Sequence, residues 1–322
     1  MNVIIPIFVA TKESLSSVDA YLTSSNIQEP DLNTIPPEKY WDATVSYALG
    51  EQVTRPNFHM IYENIQAGIN ATPPEVDSRL AVPTRWVRKG ANNKYAMFDT
   101  LRNNTSKSNF IDFTISPSQR VTSFYANRLQ GSRFIITMTL NGQEIYRFEQ
   151  SLEQRLVLSW FDYFFKPFDP PLRIVRFDMP PFFGTVVRVQ IVSNNGIAAL
   201  GSFVIGPHVY MGEVTYGAVI SDLNFSRIDR NFDGSLELLQ RRSISKIRGQ
   251  IYTEKSETNK LLELKQKINA IPAVFSGLDD KDADLYFDGL LMLGVYKVFD
   301  IALETPTHAV IDFALNRKKV KW

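Results

Sequence analysis

Three histidines, His59, His208 and His308, are the only imidazoles among 322 residues, and none has a second histidine at ligand spacing. Cysteine is absent, which removes thiolate nucleophiles, cysteine metal sites and disulfides together. No G-x-S-x-G elbow and no phosphate-cradling glycine loop occurs. The carboxylates offer Asp162 with Asp169, and the run Asp279, Asp280, Asp282, Asp284. Glycosidase chemistry needs two carboxylates facing each other across a cleft, which spacing does not establish, and the run reads as a solvated loop. Asp229-Arg230-Asn231-Phe232-Asp233-Gly234 matches the first half of an EF-hand loop, but Gln240 stands where the bidentate glutamate belongs and the flanks read as strands. A polar hairpin turn is the better reading. No catalytic residue, metal ligand or cofactor is expected.

Aromatic rings supply the remaining chemistry. Tyr40, Trp41, Tyr47, Tyr62 and Trp86 crowd into a short span with turns at Gly50, Pro56-Asn57 and Pro73-Pro74. A pyranose presents an apolar axial C–H face, so an exposed ring can stack on it; Trp41, Tyr47, Tyr62 and Trp86 are the glycan-stacking candidates. The competing reading is that large rings fill the core of a unit too small to build one otherwise. A second concentration is Trp160–Phe168, WFDYFFKPF, six aromatics in nine residues. It reads first as a plug at one end of a sandwich, and second as an exposed contact patch. Trp160, Phe161, Tyr163, Phe164 and Phe165 are accordingly the interface candidates.

Apolar content of 44% with 21% charged residues fits a folded chain with a sizeable core, and a formal charge of +1 provides no field toward nucleic acid or an anionic membrane. The start, MNVIIPIFVATKESL, lacks a basic n-region, and no apolar run reaches membrane-spanning length, so a soluble protein without membrane insertion is expected.

Val3–Ala10 reads as a strand with Pro6 at an edge, Ser14–Ser25 as a short helix, and Ile27–Pro37 as a proline-rich linker. Strand signals follow at Glu51–Val53 and His59–Asn64. Pro83–Thr105 then splits an apolar cluster of Trp86, Tyr95, Met97 and Phe98 around the polar turn Gly90-Ala91-Asn92-Asn93, as a packed junction between domains does. From Asn109 to Ile205 short strand candidates recur between turns, with Asn141-Gly142 the strongest hairpin signal. In TEKSETNKLLELKQKINAIP, Thr253 or Ser256 can cap a helix whose one face carries Leu261, Leu264 and Ile268. Strands are expected at Val274-Phe275, Tyr286–Val298, Phe299–Leu303 and Ala309–Leu315. The tail RKKVKW reads as a solvated terminus. The expected fold is mainly β: an N-terminal strand and linker (1–37), a small aromatic-rich module (38–90), an antiparallel, jelly-roll-like β-sandwich (91–208), and a C-terminal α+β domain with one long helix (209–322).

Trp41-Asp42, Tyr47, Gly50 with Val53, Tyr62 and Trp86 resemble the small chitin-binding modules of bacterial chitinases, whose aromatics are divided between core and sugar face. A longer series runs in order along the chain. It comprises Trp41-Asp42, Tyr47, Gly50, Trp86, Gly90, Asn92, Ala96-Met97-Phe98-Asp99, Gly206, Gly212, Tyr216-Gly217, Asn224-Phe225-Ser226, Asp229, Arg242 and Ser245-Lys246. This series resembles tailed-bacteriophage virion proteins of tail or baseplate gene sets that carry a carbohydrate-binding module. Two features depart from that pattern: Asn92-Asn93-Lys94 replaces a proline-containing turn, and Asn224 replaces an aspartate. The resemblance implies a structural, non-enzymatic component of a tail tip or baseplate, assembled in the host cytoplasm and located in the virion. Its implied partners are other tail proteins, symmetry-related copies and host cell-surface polysaccharide. The alternative is a secreted or cell-associated, non-catalytic carbohydrate-binding protein.

Overall fold

A computed structural model describes residues 1–7, 9, 20–34, 36–99, 104–153, 158–166, 173–230, 235–241, 243–277 and 288–317. The fold is mainly β, built from antiparallel sheets. The described chain forms two compact units, one within Ile7–Gly206, the other of Met1–Pro6 with the described residues between Pro207 and Arg317. Among the described residues no helix is long and apolar enough to cross a membrane.

In the first unit a five-stranded sheet runs in the order Gln143–Ser151, Arg133–Leu140, Val186–Leu200, Thr105–Pro117, Ala20–Ser25. A three-stranded sheet runs Arg173–Arg176, Ser123–Asn127, Ser202–Gly206. Alternate residues point to opposite faces of a strand, and so Ile111, Phe113 and Ile115 go inward together. They share one core with Phe124, Ala126, Phe203 and Ile205 of the smaller sheet, a sandwich-like arrangement. The Asn141-Gly142 hairpin forms as expected: both residues have positive φ, 51° and 81°, the type I′ geometry that matches strand twist.

The small aromatic region, also in this unit, has a three-stranded sheet, Gln52–Arg55, Met60–Asn64 and Trp86–Ala91, and a short pair, Ser46–Tyr47 with Gly68–Ile69. A one-turn helix, α1 (Pro74–Asp77), precedes the last strand.

Several expectations are corrected here. The described part of Ser14–Ser25 is a strand, Ala20–Ser25, paired with Thr105–Pro117. Its β-branched and aromatic residues gain more from a sheet edge than from capping a short helix. The Ile27–Pro37 segment is no free linker: Ile27 and Asp31 are buried, and Asp31 is bonded to Glu38 and Asn93. Val3–Ala10 is divided, because Asn2–Ile4 belongs to the sheet of the other unit. Trp160–Phe165 is a short helix, α2, rather than a buried plug.

In the second unit an eight-stranded sheet runs His208–Tyr210, Asn2–Ile4, Ala273–Ser276, Leu291–Ala302, His308–Arg317, Ser243–Glu254, Glu213–Val214, with Val219–Asn224 also paired to Ser243–Glu254. Tyr286–Val298 and Phe299–Leu303, expected as two strands, are one in their described part, Leu291–Ala302, with an irregularity between Tyr296 and Val298. The expected helix is α3 (Thr258–Lys267), entered through a 3-10 turn at Lys255–Glu257 instead of a Thr253 or Ser256 cap. Leu261, Leu264 and Ile268 are buried against Ile251, Phe275, Ile311 and Phe313.

Candidate functional site

Of the four rings marked for sugar stacking, three have no face to offer. Tyr62 and Trp86 are 0% exposed and Tyr47 is 3% exposed. Tyr47 meets Trp86 edge-on at 5.2 Å, and its hydroxyl donates to the Asp42 carbonyl. With Val53, Met60 and Tyr95 these rings form the core of the small region. Trp41 is half-buried and lies under the Arg55 guanidinium, 4.7 Å from the ring centroid, while Arg55 pairs with Glu75 at 2.9 Å. The aromatic load is therefore spent mainly on packing.

The turn expected at Gly90–Asn93 comes later: Gly90 and Ala91 still pair with Ile61 and Met60 in the strand, and the chain turns from Asn93. Asn93 Nδ2 donates to Asp31 and to the Ser106 carbonyl, its backbone N–H donates to Glu38, and its carbonyl accepts from Thr105. Trp86 and Tyr95 join the small core, Met97 joins the sandwich core, and Phe98 packs against both. The carboxylates of Glu29, Asp31 and Glu38 gather at this junction. Burial pushes the Glu38 carboxyl up, against hydrogen bonds from the Asp31 and Asn93 backbone and with help from the charges of Asp31 and Glu29. His59 Nδ1 lies 2.8 Å from both Glu29 oxygens, and its ring stacks on Tyr95 at 4.1 Å. Burial, with Glu29, pushes the Tyr95 hydroxyl up to about 12. Every polar group in the cluster that faces inward is occupied by another residue, so the arrangement ties the 29–38 segment to the turn.

Asp77, at the end of α1, fixes the entry to the Trp86 strand. Its carboxylate accepts from the Thr84 hydroxyl and from the backbone N–H groups of Thr84, Arg85 and Trp86. Burial alone would raise its pKa, but these bonds outweigh it and hold the carboxyl below the ordinary value. A depressed carboxylate contributes stability above its unfolded pKa and loses it as pH falls through the folded value. Asp77→Asn, which replaces one accepting oxygen by a donor, is expected to cost about 2–3 kcal/mol near neutral pH. The gap from the parent protein should close as pH drops below 3.8. Denaturant titrations at several pH values measure both; a gap constant down to strongly acid pH counts against the assignment.

The aromatic run occupies the opposite kind of environment. Ser159 caps α2 by accepting from the Asp162 backbone N–H, and the Asp162 carboxylate accepts from Leu158 N–H, which holds its pKa down. Trp160 is 79% exposed, and Tyr163, the least exposed of the five rings, still 51%. The rings find partners in one another: Phe161 with Phe165 at 5.0 Å and Trp160 stacked on Phe164 at 6.4 Å, both four residues apart on the helix. Pro167 and Phe168 lie outside the described residues.

A second exposed apolar element carries no obvious mark in the sequence. Val219–Asn224 is exposed along its whole length on Ser243–Glu254, and a further ribbon, Arg227–Arg230 with Leu236–Leu239, follows it. Ile220, Leu223, Phe225, Leu236, Leu238 and Leu239 are all exposed. Apolar alternation there looks like that of any half-buried strand. Residues 231–234 of the calcium-like turn, and the Asp279–Asp284 run, lie outside the described residues. His59 lies in the turn before Met60–Asn64 and His208 and His308 begin separate strands, and among the described residues no group of three or more His, Asp or Glu side chains is placed to hold a metal. No protein-family model matches this chain, and no curated protein matches it.

Proposed function

We propose that the chain is a structural subunit of a bacteriophage tail tip or baseplate, acting by assembly and without chemistry of its own. The exposure of α2 carries this reading. Five aromatic side chains standing in water on six residues are a liability for a free monomer, and an anchor once water is excluded. The exposed ribbon of Arg227–Arg230 with Leu236–Leu239 supports it, because a two-stranded ribbon alone is marginally stable in water and gains from packing against a neighbour. The order of motifs along the chain, similar to tail proteins with a carbohydrate-binding module, supplies the setting: a virion, assembled in a host cytoplasm. The partners are copies of this chain and other tail proteins. Contact with host polysaccharide is a subsidiary role for which Trp41 is the remaining ring of the original four.

The expected result is that mass spectrometry of purified virions finds this chain at several copies per particle. In the particle each copy should bury well over the roughly 1,000 Å² of a specific contact. A chain missing from particles, and dispersed as a monomer at high concentration, would overturn the proposal.

A further inference from the structure

On the second unit a cleft of ≈ 520 Å³ opens between the edge strands and the start of α3, lined by Tyr210, Glu213, Tyr252, Glu254, Glu257 and His308 among others. The strand register assembles it. Glu213 pairs with Tyr252, and Glu254 with His308, so all four side chains share one face of the sheet. Ile251, which points the other way, is buried with Leu261 and Leu264, while Tyr252 and Glu254 are exposed. Tyr252 and His308 stack at 4.6 Å with an interplanar angle of 18°, so each covers one face of the other and has one outer face. Tyr210 is 44% and Tyr252 42% exposed, far more than structural tyrosines of this chain such as Tyr62.

The charges are unbalanced. Lys260 is the one cationic side chain lining the cleft, and it is paired with Glu257 at 2.9 Å. Glu254 accepts a hydrogen bond from Ser256, and neither it nor Glu213 has an ion pair among the described residues. The carboxylates are not gathered closely enough to form a metal site. An outer ring face beside two carboxylates suits an organic cation, and a planar one best, because a guanidinium stacks on a ring and bonds a carboxylate through two N–H groups at once. The protein already contains that arrangement filled: Arg55 lies on Trp41 while bonded to Glu75. In the cleft a ring and carboxylates again line one surface.

We propose that this cleft binds an arginine side chain presented by another polypeptide. Its volume exceeds what one side chain fills, which leaves room for the residues flanking that arginine. The inference holds whether or not the chain belongs to a virion, so its failure and the failure of the assembly reading are separate events.

The test uses the full chain and three acetylated, amidated pentapeptides of glycine alternating with arginine, lysine or glutamine, at low ionic strength. Ring resonances of Tyr210, Tyr252 and His308 should shift with the arginine peptide, which should bind roughly threefold or more tighter than the lysine peptide. The glutamine peptide should not bind. Glu213→Gln with Glu254→Gln, both at exposed positions and so expected to leave the melting temperature unchanged, should weaken the arginine peptide about tenfold. Equal affinity for arginine and lysine, binding undiminished in the double variant, or ring resonances that stay fixed at millimolar peptide would each overturn the proposal.

Discussion

Replacing Trp86 with alanine is expected to unfold the small aromatic region while the two larger cores persist. Trp86 is fully buried and touches Tyr47 edge-on in a cluster of only seven buried apolar residues. Truncating a buried tryptophan typically costs about 3–5 kcal/mol, through lost transfer energy and the cavity left behind. A core this small has few neighbours able to collapse into the space, so the cost should fall at the upper end. Asp77 compounds it, because the strand it anchors would no longer have a buried ring to hold it in register. The measurement is proteolysis followed by mass spectrometry, which should show new cuts within residues 40–95 and continued protection of the sandwich strands. Trp86→Phe serves as the control: it keeps a ring in the core and should largely preserve the region. Unchanged protection in Trp86→Ala would mean that the rings are not its core.

That outcome bears on what the sequence disclosed. Periodicity revealed the strands that have one buried face, such as Thr105–Pro117 with Ile111, Phe113 and Ile115 inward, and the helix face of Leu261, Leu264 and Ile268. Turn chemistry placed the Asn141-Gly142 hairpin, since a type I′ turn accepts few other residue pairs. Long-range pairing was hidden. Nothing in Asn2–Ile4 indicates that it is sandwiched between His208–Tyr210 and Ala273–Ser276, because a buried strand advertises burial but not its neighbours. The proline-rich 27–37 segment looked like a linker because polarity was read as solvation. Its carboxylate and amide groups are instead consumed by one another at a junction, through bonds such as Asn93 to Asp31, 62 residues apart in sequence.

The candidate sites divide along the same line. Composition located both aromatic concentrations but not which was inside. Tyr47, Tyr62 and Trp86 lie on or beside strands that alternate, so each has a core to enter. In α2 nearly every position is aromatic, and a six-residue helix with no polar face has no way to bury all of its rings against one surface. The cleft was beyond reach for a different reason. Tyr252 and His308 come from strands far apart in sequence that the sheet register brings together, and Tyr210 lines the same cleft from the strand at the other end of the sheet order.

Substituting Trp160, Phe164 and Phe165 together with serine is expected to abolish assembly while leaving the folded subunit as stable as before. All three rings stand in solvent, so their removal leaves no cavity in either core and costs the monomer only ring contacts within α2, those with Phe161 and Tyr163 included. In an interface the balance reverses. Fully burying a large apolar side chain contributes about 1.5–3 kcal/mol, and aromatic anchors at the centre of a contact often cost 2 kcal/mol or more when truncated. Losing three anchors should therefore weaken association by several orders of magnitude. Sedimentation at a series of concentrations, with a thermal melt of the same samples, separates the two effects. The parent chain should self-associate or enter particles, and the triple variant should remain a monomer with an unchanged melting transition. Retained assembly in the variant would move the anchor elsewhere, and the exposed leucines of the Leu236–Leu239 ribbon would be the next substitution to make. A variant that melts early would show instead that these rings pack within the subunit, which would remove α2 as the basis of the assembly reading.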